Sequence, residues 1–327
     1  MTRTLTATPE RFPIAGAFVI SRGAKTEACV VHVNITQDGA AGQGECVPYA
    51  RYGETEESVL AQIEDVRPAI ENGMDRYALL DALPAGAARN AVDCALWDLE
   101  AKRSGRGAHY DICAMPPVPV TTAFTISMND TATMADHARV ASHRPLIKVK
   151  VGGDGDHARL HAVAGAATTS RFIIDANEAW TPDNISEHLL SALQYRVVLV
   201  EQPLPVGQDE ILRSVPHPVP ICADESVHTI DDLEKLVGLY DVVNIKLDKT
   251  GGLTAALMMM KRAHELGFGV MVGCMVGTSL AMAPAVLLAQ SADFVDLDGP
   301  LLLKRDRQPG LRYAGSLVSP PDAELWG

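Results

Sequence analysis

The chain reads as an α/β protein in two parts, an α+β layer followed by a parallel βα barrel that lacks its last helix, (β/α)7β. Three observations predict this. From about residue 118 to 300, short apolar, β-rich runs alternate with helical segments, the pattern of a βα barrel. The first hundred residues run strands first and helices second, which describes a separate α+β layer. Finally, Asp175, Glu201 and Asp224 recur at gaps of 26 and 23 residues, each where an apolar run breaks into loop: RFIIDANEAW, VVLVEQPLP and PICADES. Barrel strand ends carry the chemistry, so acids from three successive strand tips are expected to converge.

In chain order, FVI, ACVVHVNITQDG and AAGQGECVPY read as strands, with Asp38-Gly39 as a hairpin turn. TEESVLAQIEDVRPAIEN has a helical apolar period, and AARNAVDCALWDLEAKRS follows Pro84 and Gly86 and closes at Gly105. Eight barrel strands then follow: 120–127, 146–152, 171–177, 197–203, 220–226, 242–249, 269–276 and 294–300. Segments such as HARLHAVAGAA and TAALMMMKRAHELG separate them as helices. After Pro300 no long helical period remains, so the tail is expected to pack back on the first part. The expected division is an α+β capping domain at 1–117, a modified TIM barrel at 118–300 and a tail at 301–327.

Composition narrows the function. A formal charge of −13 argues against nucleic acid or an anionic membrane as partner, though local cations can still bind an anionic substrate. The longest apolar runs fall short of a membrane span, and MTRTLTATPERF lacks the apolar core of a secretory signal, which predicts a cytoplasmic protein. The six cysteines form no CxxC pair and suit free thiols in a reducing compartment.

Three bare carboxylates close together repel unless a hard cation, most naturally Mg²⁺, sits among them. Lys148 and Lys150 in IKVKVG lie two apart on a strand and so share a face. Taken alone, KVK reads equally well as two solvated lysines on an edge strand. Lys246 in VVNIKLDK repeats the pattern on the sixth barrel strand, opposite the second, so Lys150 and Lys246 are expected to face each other across a ligand. A metal flanked by opposed lysines suggests one reaction type: an α-proton leaves from one face of a carboxylate substrate and another arrives on the opposite face. As base, each lysine needs an ammonium pKa lowered toward neutrality.

The set KVK, DANEAW, EQPLP, ADES, NIKLDKTGG and DLDGP resembles the enolase superfamily in its muconate-lactonising branch, over essentially the whole chain. Within it the chain is similar to dipeptide epimerases. That resemblance implies one Mg²⁺ held by Asp175, Glu201 and Asp224, with Lys150 and Lys246 as the acid/base pair. It implies that Lys148 assists by lowering the pKa of Lys150 and touching the substrate carboxylate. The implied substrate is a small dipeptide of the L-Ala-D/L-Glu kind, inverted at the α-carbon of its C-terminal residue, as in murein peptide recycling. Family members are often homo-oligomers, though no stripe here marks an interface.

Asp296 and Asp298 in DLDGP would by the same resemblance bind the dipeptide's α-ammonium, and two acids on one face do suit a cation. A strand-end turn or N-cap pair is the plainer alternative. Thr125 and Cys274 match positions that contact the substrate backbone, or line the barrel. Arg22 and Lys25 in SRGAKTEA, and Arg51 in VPYARYGE, are cations available to a second carboxylate, or simply solvated loop charges. Glu45 and Glu54 read as loop charges, Asp248 and Lys249 as a salt-bridged loop, and Trp180 as a lid or packing residue. Two other readings stand beside epimerisation: an N-acylamino acid racemase or o-succinylbenzoate synthase on the same scaffold, and a non-catalytic Mg²⁺-binding barrel.

Overall fold

The computed structural model describes residues 3–327. Its first part is a three-stranded antiparallel sheet, β1 (Thr4–Ile20), β2 (Gly23–Gln37) and β3 (Ala40–Cys46), in that spatial order. Asp38 and Gly39 turn the second hairpin, both at positive φ (56° and 83°), as a two-residue turn between twisted strands requires. β1 begins well before the expected FVI. It is an edge strand, where Pro9 and Pro13 remove no ladder hydrogen bond that a neighbour needs.

Three helices follow: α1 (Glu56–Glu71), α2 (Arg76–Ala82) and α3 (Ala87–Ser104). Thr55 and Ser58 close a reciprocal cap on α1, and Gly105 ends α3 in the left-handed conformation. The seven-residue α2, capped by Asp75, was not expected as a separate element. α3 is buried along nearly its whole length because it lies between the sheet and the second part. It meets β3 backbone to backbone: a Cβ on Gly44 would stand 2.1 Å from the Ala91 carbonyl oxygen.

After the one-turn α4 (His109–Ile112) and the short β4 (Val120–Thr121), eight parallel strands run in sequence order. They are β5 (Phe124–Ile126), β6 (Leu146–Lys150), β7 (Arg171–Asp175), β8 (Val197–Glu201), β9 (Ile221–Ala223), β10 (Val242–Ile245), β11 (Gly269–Gly273) and β12 (Phe294–Asp296). The Ala123 amide donates to the Val295 carbonyl at 2.8 Å, which brings β12 back beside β5. Helices α5 (Thr131–Val140), α6 (Asp156–Ala166), α7 (Ile185–Ala192), α8 (Leu233–Leu236), α9 (Leu247–Thr250), α10 (Leu253–Glu265) and α11 (Ser279–Leu288) lie between the strands. No α-helix follows β12 among the described residues, as expected; after a 3₁₀ turn (Gly299–Leu302) the tail forms β13 (Tyr313–Ala314) and β14 (Leu317–Val318), and β14 pairs with β4.

The tail also returns to the first part. Lys304 donates to the Pro13 carbonyl, Arg307 bridges Glu10 and Glu45, and the Trp326 indole donates to the Cys94 carbonyl. No described helix is long and apolar enough to cross a membrane, and all six cysteines are free.

Candidate active site

Barrel strands alternate their side chains in and out with period two, which stacks the interior in layers. One buried apolar layer is Ala123, Leu146, Ile173, Leu199, Cys222, Val242 and Met271, each from a different strand or its threshold. Two residues further along each chain segment stand Thr125, Lys148, Asp175, Glu201, Asp224, Asn244 and Gly273. The polar site is therefore the next layer above an apolar plug. Two residues beyond that come Lys150, Lys246 and, just past the last strand, Asp298 after Asp296.

This layer is buried and densely charged. Asp175 and Glu201 are 0% exposed, and Lys148 and Asp224 are 2% exposed, where unpaired charge is costly. The Lys148 amine lies 3.0 Å from Asp175, 2.6 Å from Glu201 and 2.8 Å from Asp296. Lys150 donates to Asp175 at 2.5 Å, and Lys246 to Asp224 at 2.7 Å. Lys249 holds the other Asp224 oxygen at 2.6 Å as well as the Asp224 carbonyl. Asn244 donates to Glu201 at 2.9 Å, and Gly273 leaves it room, since a Cβ there would stand 2.5 Å from its amide oxygen.

Lys150, at the end of barrel strand two, and Lys246, directly after strand six, thus sit at the two ends of the row Asp175, Glu201, Asp224. The acids share one layer, but among the described residues no three carboxylate, imidazole or thiol groups close around a single point at metal-ligand spacing. Each acid is drawn onto an amine instead, because carboxylates this near require counter-charge and the lysines supply it. The donor set still fits a hard cation: three buried carboxylates, among which Glu201 Oε2 touches the Lys148 charge without hydrogen-bond geometry.

Burial works against the Lys246 ammonium, but among the chain's own groups Asp224 and Glu201 outweigh it and hold its pKa well above the usual lysine range, so burial alone does not bring this amine toward neutrality. Lys148 is likewise raised, burial being outweighed by Asp175, Asp296 and Glu201. Asp175 and Asp224 sit below the usual carboxylate range: burial opposes this, but their lysines prevail. Glu201 is pushed up to about 7, by burial and then by the neighbouring Asp175 charge, because it shares Lys148 with two other acids.

The site opens into a cavity of about 740 Å³ lined by Thr125, Lys148, Lys150, Lys246, Cys274, Asp296 and Asp298, with cap residues Arg22, Lys25, Tyr49, Arg51 and Tyr52 across from them. Asp296 and Asp298 are not a free pair. Asp296 Oδ2 takes the Lys148 amine and Asp298 Oδ2 the Thr125 amide, whereas the buried Asp296 Oδ1 has no partner. Asp298 also starts a 3₁₀ turn, yet its side chain makes no cap bond there. Arg22 is committed to Glu225 and Glu178, and Arg51 to Glu178. Lys25 lies over the Tyr49 ring at 4.7 Å and is the loop cation without an acidic partner among the described residues.

Several residues read as incidental are structural. Glu45 lies buried on β3 and accepts from Thr278 and Arg307, so it is not a loop charge; Glu54 does lie in a loop, half-buried, where it accepts from the Tyr49 and Ala87 amides. Lys249 is salt-bridged as expected, but inside the site on α9; Asp248 instead accepts from Val47 and Asn90. Trp180 is a packing residue stacked on His188 and bonded to Asp156. Asn244, two before Lys246, was legible by the same alternation that exposed the lysines. His157 and His161, four apart on α6, share Tyr195 outside the cavity.

Residues 2–109 match the model of the mandelate racemase / muconate lactonizing enzyme N-terminal domain, and residues 130–323 that of the enolase C-terminal domain-like family. An N-acetyl-D-glutamate racemase from Pseudoalteromonas sp is 46% identical over 88% of this chain and 91% of its own. The L-Ala-D/L-Glu epimerase of Escherichia coli (strain K12) is 43% identical over 95% of this chain and 98% of its own. An enolase family member from Agrobacterium tumefaciens with homology to dipeptide epimerases, solved with bound sodium and L-Ala-L-Glu, superposes with a TM-score of 0.98 at 55% identity, covering 99% of this chain and 100% of its own. The dipeptide epimerase of Enterococcus faecalis V583, complexed with Mg and L-Leu-L-Tyr, gives a TM-score of 0.91 at 28% identity, with 98% of both chains covered. The chain belongs to the enolase superfamily, in its mandelate racemase / muconate lactonizing branch.

Proposed function

We propose that the protein is a Mg²⁺-dependent isomerase that epimerises a dipeptide of the L-Ala-D/L-Glu kind at the α-carbon of its C-terminal residue, in cytoplasmic murein peptide recycling. The observation that carries this reading is the placement of Lys150 and Lys246 at opposite ends of one buried carboxylate row, beneath a single cavity. Asp175, Glu201 and Asp224 would hold the cation. Bound there, Mg²⁺ supplies positive charge against the electron density that gathers on the substrate carboxylate as the α-proton leaves.

The chain's own groups do the rest. One of Lys150 and Lys246 takes the α-proton from its face, and the other delivers a proton to the opposite face, which inverts the centre. Lys148 ties Asp175, Glu201 and Asp296 together and so fixes the floor of the site. The unpartnered Asp296 Oδ1 is an acceptor for the dipeptide's ammonium, with Asp298 beside it. Thr125 and Cys274 border the peptide backbone. Lys25 is the cation for a glutamate side chain, while Arg22 and Arg51 clamp their loops onto Glu178 and Glu225. Residues 1–117, with the tail 301–327, form the cap over the barrel 118–300.

The similarity to an N-acetyl-D-glutamate racemase favours a second reading, racemisation of an N-acyl glutamate. It asks the same of the lysines and of Lys25, and nothing of Asp296 Oδ1. Proton NMR in D₂O separates the two. Mg²⁺-dependent loss of the α-proton signal from L-Ala-L-Glu, faster than from N-acetyl-L-glutamate, supports the dipeptide reading. The reverse order supports the racemase, and no exchange from either overturns both.

A further inference from the structure

Asp248 lies beside the site without lining its cavity. It is the second residue of α9, the single helical turn that starts directly after Lys246, and it is 8% exposed. Its Oδ1 accepts two hydrogen bonds, and both donors belong to the cap: the Val47 amide at 3.0 Å and the Asn90 Nδ2 at 2.8 Å. Among the described residues it has no salt-bridge partner, and the charges that act on it, Glu54 and Glu45, are both negative. A carboxylate buried against neutral donors is unfavourable, and a packing role alone could be filled by an apolar side chain.

Each side of this contact leads into the cavity. On the barrel side, α9 carries Lys246 as its N-terminal flanking residue and, three residues on, Lys249, whose amine holds Asp224. On the cap side, Val47 opens the segment that places Tyr49, Ala50, Arg51 and Tyr52 in the cavity wall. The base is held as well: Arg89 of α3 donates to the Thr250 and Gly251 carbonyls at the end of α9. A Cβ on Gly251 would lie 2.5 Å from the Arg89 Nε, so the two elements leave no slack.

We infer that Asp248 is a positioning residue that couples the cap segment 47–54 to the orientation of Lys246, so that the cavity wall and the proton-transferring amine move as one unit. This rests on the proposed reaction for its kinetic consequence, but not for its structural one. Residues of this kind, remote from the chemistry, change kcat and KM together.

The test uses the full chain with saturating Mg²⁺ and three variants. Asp248→Leu removes the acceptor. Asp248→Asn keeps an amide oxygen able to accept from both donors. Asn90→Ala removes one donor and serves if the leucine variant does not fold. We expect Asp248→Leu to lower kcat and raise KM, each about tenfold. Its backbone amides at 47–54 should exchange with deuterium faster than in the unaltered protein. Asp248→Asn should restore both readouts, and Asn90→Ala should change them in the same direction by a smaller factor. A change in KM alone, in kcat alone, or in neither would overturn the coupling, as would failure of the asparagine to rescue. Hydrogen exchange needs no substrate, so if no dipeptide or N-acyl substrate turns over, unchanged protection at 47–54 still refutes the coupling separately from the proposed reaction.

Discussion

At the scale of single residues, alternation along the strands did most of the predictive work. Asp175, Glu201, Asp224, Lys148, Lys150 and Lys246 could be placed because a strand residue's face is fixed by parity, and each stood at the end of an apolar run. What parity cannot supply is the partner. Nothing in DLDGP indicates that Asp296 gives one oxygen to Lys148 and keeps the other free, or that Asp298 takes the Thr125 amide. Changing Asp296 and Asp298 to asparagine together should lower kcat/KM for L-Ala-L-Glu at least about a hundredfold, because a buried ammonium then loses its charged acceptors. Turnover of N-acetyl-glutamate should be spared. Parallel kinetics on the two substrates read this directly, and equal loss on both would mean that the aspartates act on the lysine row and not on the ammonium. At Lys25, substitution by alanine should raise KM for glutamate-ending dipeptides and leave alanine-ending ones unchanged.

At the scale of elements, caps and turns were legible and edges were not. Gly105 and the Asp38-Gly39 turn marked their elements correctly because each satisfies local backbone groups. β1 escaped because Pro9 and Pro13 interrupt its strand pattern, and only its edge position makes them harmless. The β3–α3 contact was also hidden, since only the close approach gives Gly44 its meaning. Gly44→Ala should cost about 2 kcal/mol or more, as overpacking against rigid backbone does, measured by urea unfolding. A pH effect belongs to this layer too. Burial pushes Asp248 up to about 7 and Asp93 up to about 6, above the unfolded carboxyl near 4. The folded chain therefore binds protons that the unfolded chain does not, and these groups contribute stability at low pH that is lost as pH rises through about 7. Asp248→Asn should accordingly be more stable relative to the unaltered protein at pH 8 than at pH 6. An unchanged difference in melting temperature would contradict the buried, raised carboxyl.

At the scale of the whole molecule, the two-part architecture was readable because each part has its own order of strands and helices. How the parts interlock was not, because it depends on pairs far apart in sequence, such as Glu45 with Arg307 and Asp93 with Thr254. Glu45 looked like a loop charge only while Arg307 was out of view. The same distance effect explains why the acids could be identified as a set but not their distribution over four lysines. The central claim is that the two outer lysines address opposite faces of one substrate carbon. It is tested most directly by following deuterium uptake from D₂O into separated L,L and L,D dipeptides with Lys150→Ala and Lys246→Ala. Each variant should lose epimerisation by about 10²–10⁴-fold, yet each should still exchange the α-proton of one diastereomer, and the two variants should choose different ones. Exchange of the same diastereomer by both variants, or epimerisation that survives either substitution, would contradict the account.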